Sequence, residues 1–321
     1  GDIGAVVGLK EVTTGDTLCA ENKPVALMGI TAPEPVMFMA IEPKSTAEKD
    51  KLAAALEQLA AEDPTCQVRV DGETGQQILC GMGELHLEIL VDRLKREFHV
   101  MANTGKPMVS YYETVSKAAR QTYTFDREIA GRRHCATLTI EVSPLARGQG
   151  RQALVAKNVM KRLPKPEYSA IITDALFDAI ATGVLARYPM TDVKAEVIDC
   201  AILDEETASD VAFRSAAVIG FREAAMAAEP EFLEPIMSLD IVTPPEYVGD
   251  IMGDINGRRG QVRDMEMKGD LQNVRAQVPL AELFGYATAI RSLSRGRAGY
   301  TMEAGAFAVV PKTVKEELLN R

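Results

Sequence analysis

The sequence predicts an α+β multidomain chain in which two ferredoxin-like (split βαβ) modules flank a different α/β domain. Three observations predict it. Glu234–Glu303 can be read in the order β-α-β-β-α-β. Glu34–Thr114 repeats that order. The residues between them, Val115–Leu233, follow another plan and carry a strongly polarised charge.

In the first module, Val36–Ile41 is an apolar run short enough for a central strand. Ser45 and Glu48 have capping-box spacing ahead of a helix bearing Leu52, Leu56 and Leu59, which stops near Pro64. Cys66, Val68 and Val70 alternate with polar residues, and Asp71-Gly72 is a turn signal before a third strand at Gln77–Cys80. Leu87, Leu90, Val91, Leu94 and Phe98 form a second helical stripe, and Met108–Tyr112 reads as the fourth strand.

In the middle, Gln121–Phe125 and Thr137–Val142 read as a hairpin whose loop, Asp126–His134, carries Arg127, Arg132 and Arg133. Pro144–Gly150 is a second loop with Arg147. Leu154–Val159 reads as a strand, Tyr168–Ala181 as a helix and Val193–Ile202 as a strand. An acidic connection, Asp199–Asp210, leads to a small-residue helix through Phe213, Ala217, Gly220, Phe221 and Ala224. Lys117–Lys165 holds eleven Lys or Arg against three acidic residues, while Pro166–Leu233 holds four against thirteen. Such polarity indicates oriented partners, or two halves that neutralise each other across one domain interface.

In the last module, Met237, Leu239 and Ile241 alternate on one strand face. Pro244 and Pro245 open a helix, where a missing N–H costs nothing, and Gly257 stops it. Strands at Val262–Met267 and Val274–Val278 follow. A helix from Leu280 to Leu293 ends at Gly296, and Tyr300 and Met302 begin the final strand.

At 321 residues the chain suits two to four domains. Net charge is −10, which argues against nonspecific nucleic-acid binding by the whole surface. The five cysteines are scattered and odd in number, with no metal-ligand spacing, and read as reduced thiols. No apolar run approaches membrane-spanning length. Gly1–Ile30 has β-domain composition but too little of it to bury a core, so a fragment lacking its N-terminal part is expected. No GxxxxGK[ST] loop occurs. The three histidines are dispersed, and the acidic run Asp204-Glu205-Glu206 reads as a solvated turn rather than a metal site. No active site is evident.

Four stretches carry a family likeness: ILCGMGELHLEILVDRLKREF at Ile78–Phe98, LEPI at Leu233–Ile236, GDIMGDINGRRG at Gly249–Gly260, and VPLAELFGYATAIRSLSRGRAGYTME at Val278–Glu303. Together they resemble the C-terminal half of bacterial elongation factor G, and Gly1–Cys19 resembles the end of that family's second, β-barrel domain. The resemblance implies a tail of domain II at 1–33, a ferredoxin-like domain III at 34–112, domain IV at 113–233 and a ferredoxin-like domain V at 234–321. Domain IV would be ribosomal-protein-like, with a left-handed βαβ crossover. It implies a translational GTPase whose GTP and magnesium are held by a domain outside this chain, with no cofactor or metal here. Its partners would be the ribosome, with tRNA and mRNA in the decoding region, and its place a monomer in the cytoplasm. Rigid-body motion about linkers near Pro33–Pro35, Glu113 and Glu234–Pro235 would drive translocation.

Carried over by motif, Gly81, Gly83, Glu84 and His86 fall at the interface with the GTPase domain, and Arg258 and Arg259 on a loop near large-subunit RNA. With Arg127, Arg132, Arg133 and Arg147 they make the rRNA-binding candidates. Arg291, Arg295 and Arg297 either join them or complement a helix dipole. The tip of domain IV would be Leu203, Asp204, Glu205, Glu206 and Thr207, where the family has a histidine and this chain has acids. The hairpin text DREIAGRRH is more similar to ribosome-recycling paralogues, which split subunits with recycling factor. Translocation, recycling and a stand-alone RNA- or protein-binding module therefore remain open.

Overall fold

The computed structural model describes residues 1–9, 12–29, 32–33, 35–45, 48–70, 76–105 and 108–320. The chain divides into two compact units, 1–110 with 237–305 and 111–236 with 306–321.

In the first unit, β1 (Met37–Pro43), α1 (Lys49–Glu62), β2 (Gln67–Val70), β3 (Gln77–Gly81), α2 (Glu84–Arg96) and β4 (Ala102–Thr104) follow the expected order. The antiparallel sheet runs β2-β3-β1-β4. Leu52, Leu56 and Leu59 of α1 and Leu87, Leu90 and Leu94 of α2 are buried, as their helical spacing requires. Two expectations need correction. The capping box does not form: α1 starts at Lys49 with Glu48 as N-cap residue and no side-chain cap, and the Glu48 N–H donates to the Ser45 carbonyl. The expected fourth strand, Met108–Tyr112, is split between β5 (Met108–Val109) and the start of β6 (Tyr112–Val115), and β4 precedes it; β4 and β5 pair with β1 and β6 leaves for another sheet. The Asp71-Gly72 turn lies outside the described residues, as does Glu34. Among the described residues of 1–29 there is no strand, and Ile3, Val7 and Met28 are exposed.

The second unit holds a sheet ordered β7-β8-β10-β9, built from β7 (Ala119–Ile129), β8 (Arg132–Pro144), β9 (Arg151–Val155) and β10 (Val193–Ala201). A crossover through α3 (Lys157–Met160) and α4 (Glu167–Thr182) joins the parallel neighbours β9 and β10. The helix α5 (Asp210–Ala227) packs Phe213, Ala217, Phe221 and Ala224 into the core beside Leu138, Ile140 and Val197. Gly220 brings α5 close to the sheet, since a Cβ there would stand 3.1 Å from Ile140 and 3.2 Å from Tyr123.

A strand longer than expected, β11 (Pro230–Thr243), pairs with β6 through Pro230–Leu233. Its sheet continues through β12 (Gln261–Lys268), β13 (Leu271–Pro279) and β14 (Gly299–Val309), in the order β12-β13-β11-β14. A short 3-10 turn at Pro245–Tyr247 leads into α6 (Val248–Gly257). The expected Leu280–Leu293 helix is interrupted. Leu280–Glu282 is 3-10, Gly285 takes φ +69°, and α7 covers only Tyr286–Leu293. A terminal helix, α8 (Lys312–Leu319), had no counterpart in the sequence reading.

The junctions expected near Glu113 and Glu234–Pro235 fall within three residues of where the units divide, at 110/111 and 236/237, but the residues named are strand rather than open linker. Glu113 lies in β6 and Glu234 in β11, and both side chains are buried. The Glu113 carboxylate accepts backbone N–H bonds from Val184 (2.6 Å), Leu185 (2.9 Å), Ala186 (2.8 Å) and Tyr188 (3.2 Å). A carboxylate paired in this way fixes the chain rather than hinging it.

Candidate nucleic-acid interface

The basic hairpin is tighter than its sequence suggests. β7 and β8 stay paired as far as Ile129 and Arg132, so the loop is only Ala130-Gly131, at φ +51° and +77°. Both residues are left-handed, as a two-residue hairpin turn demands. Arg127, Arg132, Arg133 and His134, expected in the loop, are therefore strand residues.

The acidic connection folds against this end of the hairpin. Arg132 Nη2 donates to the Glu206 carbonyl at 2.8 Å, and the Cys135 N–H to the Thr207 carbonyl at 2.9 Å. His134 Nδ1 lies 2.6 Å from Ser209 Oγ. Ser209 in turn caps α5 by accepting from the Ala212 N–H. Asp204 closes the turn by accepting the Thr207 N–H at 2.7 Å, and that bond, with the Thr207 hydroxyl, holds its carboxyl below the usual range. Hairpin and connector form one tip, with Ile129 and Leu203 exposed on it.

Among the described residues of the tip, one ion pair forms, between Arg133 and Asp126. Arg133 makes two bonds to Asp126, 2.8 Å from Nε and 2.6 Å from Nη2, and these hold the Asp126 carboxyl low. Arg127 is exposed, opposite His134 in the ladder. Arg147 is not at the tip. It lies beyond the far end of β8, 3.6 Å from buried Asp192 and 3.5 Å from the Thr114 hydroxyl. The second possibility raised by the polarised charge is realised in part: Lys117–Glu229, Arg147–Asp192 and Arg162–Asp199 join the basic half to the acidic half.

The remaining candidates lie in the other unit. Arg258 is bonded to Asp254 at 2.8 Å and to the Glu282 carbonyl, and it sits 5.2 Å from the Tyr286 ring centroid. Arg259, at φ +58°, reaches Glu282 Oε1 at 2.8 Å. Both guanidinium groups are thus anchored within their own module. Arg297 pairs with Glu246.

At the β3–α2 junction, His86 Nδ1 accepts the Met82 N–H at 3.0 Å, and its Nε2 stands 3.0 Å from Asp63. Gly83 is the N-cap residue of α2, and a Cβ there would lie 3.2 Å from Met302. Glu84 Oε2 accepts the Gly285 N–H at 2.9 Å. Glu84 thereby ties the first module to the last, a role its motif did not announce. Ser209, directly ahead of the α5 run, is a helix-cap signal that the sequence carries and the sequence reading did not use. Glu282 and the Glu206 carbonyl as arginine partners carry no such signal, because both lie far along the chain from the arginines they hold.

Among the described residues no group of three or more acidic, His or Cys side chains could hold a metal ion. No helix there is long and apolar enough to cross a membrane.

Comparison with known proteins places three family models along the chain in order: elongation factor G domain III at 32–106, domain IV at 107–229 and the elongation factor G C-terminus at 231–318. A crystal structure of a Thermus thermophilus protein is similar over 91% of this chain, at 31% identity and a TM-score of 0.68. The chain spans 43% of that structure's length.

Proposed function

The chain belongs to the elongation factor G family, and from that membership we propose that it is the ribosome-binding region of a translational GTPase that moves tRNA and mRNA during protein synthesis. The observation that supports this reading is the tip: the end of a hairpin whose turn is two residues long, with the neighbouring connector hydrogen-bonded to it. β10 pairs with β8 as far as Thr137, so the five β7–β8 pairs from Phe125–Ala136 to Ile129–Arg132 extend past it, on the order of 15 Å at about 3.3 Å each. Its surface groups, Arg127, Leu203, Glu205 and Glu206, would meet the decoding region with tRNA and mRNA.

GTP and magnesium do not fit the residues present, since no phosphate-binding loop exists in the sequence. The work proposed for these residues is binding and positioning on a cytoplasmic ribosome.

Cosedimentation of the chain with ribosomes tests the binding, and a translocation assay with the intact protein tests the step. Ordinary ribosome binding and translocation are expected. Subunit splitting with recycling factor, in the absence of translocation, would replace this reading with the recycling one.

A further inference from the structure

The second unit carries cations that the tip does not use. Between Val142 and Pro166 the chain has six Lys or Arg and no acidic residue. Arg147 and Arg162 are paired with Asp192 and Asp199. Lys157, Lys161 and Lys165 are exposed and form no ion pair among the described residues. They fall at four-residue intervals on the crossover from β9 to α4, starting in α3. Val159 and Leu163, at the same spacing and two residues out of phase, are buried in the unit's core. Val159 and Leu163 therefore fasten the segment down while the three lysines face outward. Lys161 directly follows the last residue of α3, one turn from Lys157, so their side chains neighbour each other. Lys165 lies 5.9 Å from the ring centroid of buried Tyr168, which restricts its ammonium. The nearest acids in sequence and ladder are spoken for or displaced: Asp199 is held by Arg162, Glu196 by Lys194, and Glu167 opens α4.

We propose that Lys157, Lys161 and Lys165 form a phosphate-contacting face that grips an RNA backbone, separate from the tip and resting on the ribosome-binding reading above. The physical case is a contrast of availability. Arg132, Arg133, Arg147, Arg258 and Arg259 each make an intramolecular bond to an acid or carbonyl, and breaking it offsets what a phosphate returns. Among the described residues the three lysines have no acid or carbonyl bond to break, Lys165 having only its contact with the Tyr168 ring, and an ammonium needs no bidentate geometry to serve as a phosphate contact. Their backbone is already ordered by Val159 and Leu163, so little further ordering is needed on binding.

The test compares the wild-type chain with K157A/K161A/K165A and K157R/K161R/K165R, measuring ribosome affinity over a salt series. Separate arms use small subunits, large subunits and tRNA, to say which RNA is gripped. All three substituted sites are exposed, and thermal melting verifies that the fold is kept. Removing three phosphate contacts should lower affinity about tenfold or more at low salt. It should also make the slope of log K against log salt shallower by roughly two to three. The arginine variant should restore both. A wild type that binds ribosomes with a triple-alanine variant of unchanged slope overturns this inference alone. A wild type that binds no ribosome overturns the functional reading and the inference with it. Equal competition by polyglutamate and by RNA at matched charge would also overturn it, because a contact competed by RNA backbone should not be matched by a carboxylate polymer.

Discussion

Arg132 and Glu206 are 74 residues apart, yet Arg132 Nη2 donates a 2.8 Å hydrogen bond to the Glu206 main-chain carbonyl. A basic hairpin and an acidic connector, which read as opposed features in the sequence, are thus one structural object. R132A should loosen the connector without unfolding the unit. Losing an exposed bond worth about 1 kcal/mol should speed hydrogen exchange at the Cys135 N–H, which donates to Thr207, about fivefold. Unchanged protection at Cys135 would show that the connector holds itself.

Glu113 should be the most sensitive acidic position in the second unit. Four backbone N–H groups donate to its buried carboxylate, and truncation leaves them without that acceptor. E113A should cost about 3 kcal/mol or more in urea unfolding. E113Q should cost less, since one amide oxygen can still accept two of the bonds. Equal losses for both would mean that the intact carboxylate carries the effect and that one amide oxygen of the same volume recovers none of it, whereas an E113A loss below about 1 kcal/mol would contradict the four bonds.

Two glycines in this unit should respond very differently to alanine. Gly183 takes φ +74°, and a Cβ there would stand 2.0 Å from the Tyr188 carbonyl oxygen. Backbone cannot yield cheaply, so G183A should destabilise by more than about 3 kcal/mol. Gly220 is helical, and its added Cβ meets only side-chain atoms at 3.1 and 3.2 Å. G220A should cost about 1 kcal/mol, the helix preference for alanine offsetting part of the crowding. Similar melting temperatures for the two would contradict the geometry.

Local rules made much of this fold legible. Leu52, Leu56 and Leu59, or Met237, Leu239 and Ile241, declare a face by spacing alone, and the structure buries them. What spacing could not show was decided by distant partners. β7 and β8 run on past Phe125 because Asp126 and Arg133 pair across the ladder, which composition alone reads as a polar loop. The Leu280–Leu293 stripe was apolar enough for one helix, but Gly285 turns left-handed where its N–H meets Glu84. Arg258 and Arg259 looked available because Glu282, their acceptor, is remote in the chain.

Asp63 supplies a pH test. Burial opposes its ionisation, but bonds from the Thr65 hydroxyl and N–H, and from His86, outweigh it and set the carboxyl below its ordinary 3.8. A folded value below the unfolded one means stability that is present above that pH and lost as pH falls through the folded value. D63N should therefore cost about 1 kcal/mol at neutral pH. Its deficit relative to wild type should shrink as the pH falls below about 4. A deficit that stays constant down to about pH 2 would assign the effect to packing.

The arginines named from sequence should separate into structural and surface classes by stability alone. Arg258 bonds Asp254 and the Glu282 carbonyl and covers the Tyr286 ring, whose buried hydroxyl has no partner among the described residues. Removing it exposes that ring and orphans the carbonyl, so R258A should lower stability by about 2 kcal/mol. Arg127 is exposed at the tip, and R127A should leave stability within about 0.5 kcal/mol. R258K should recover little, because one ammonium cannot serve both acceptors and the ring as a planar guanidinium does. If R258A melts like wild type while weakening ribosome binding, Arg258 is a ligand-facing group whose intramolecular bonds are incidental. If it melts early, any binding loss must be measured below its own transition before it is credited to RNA.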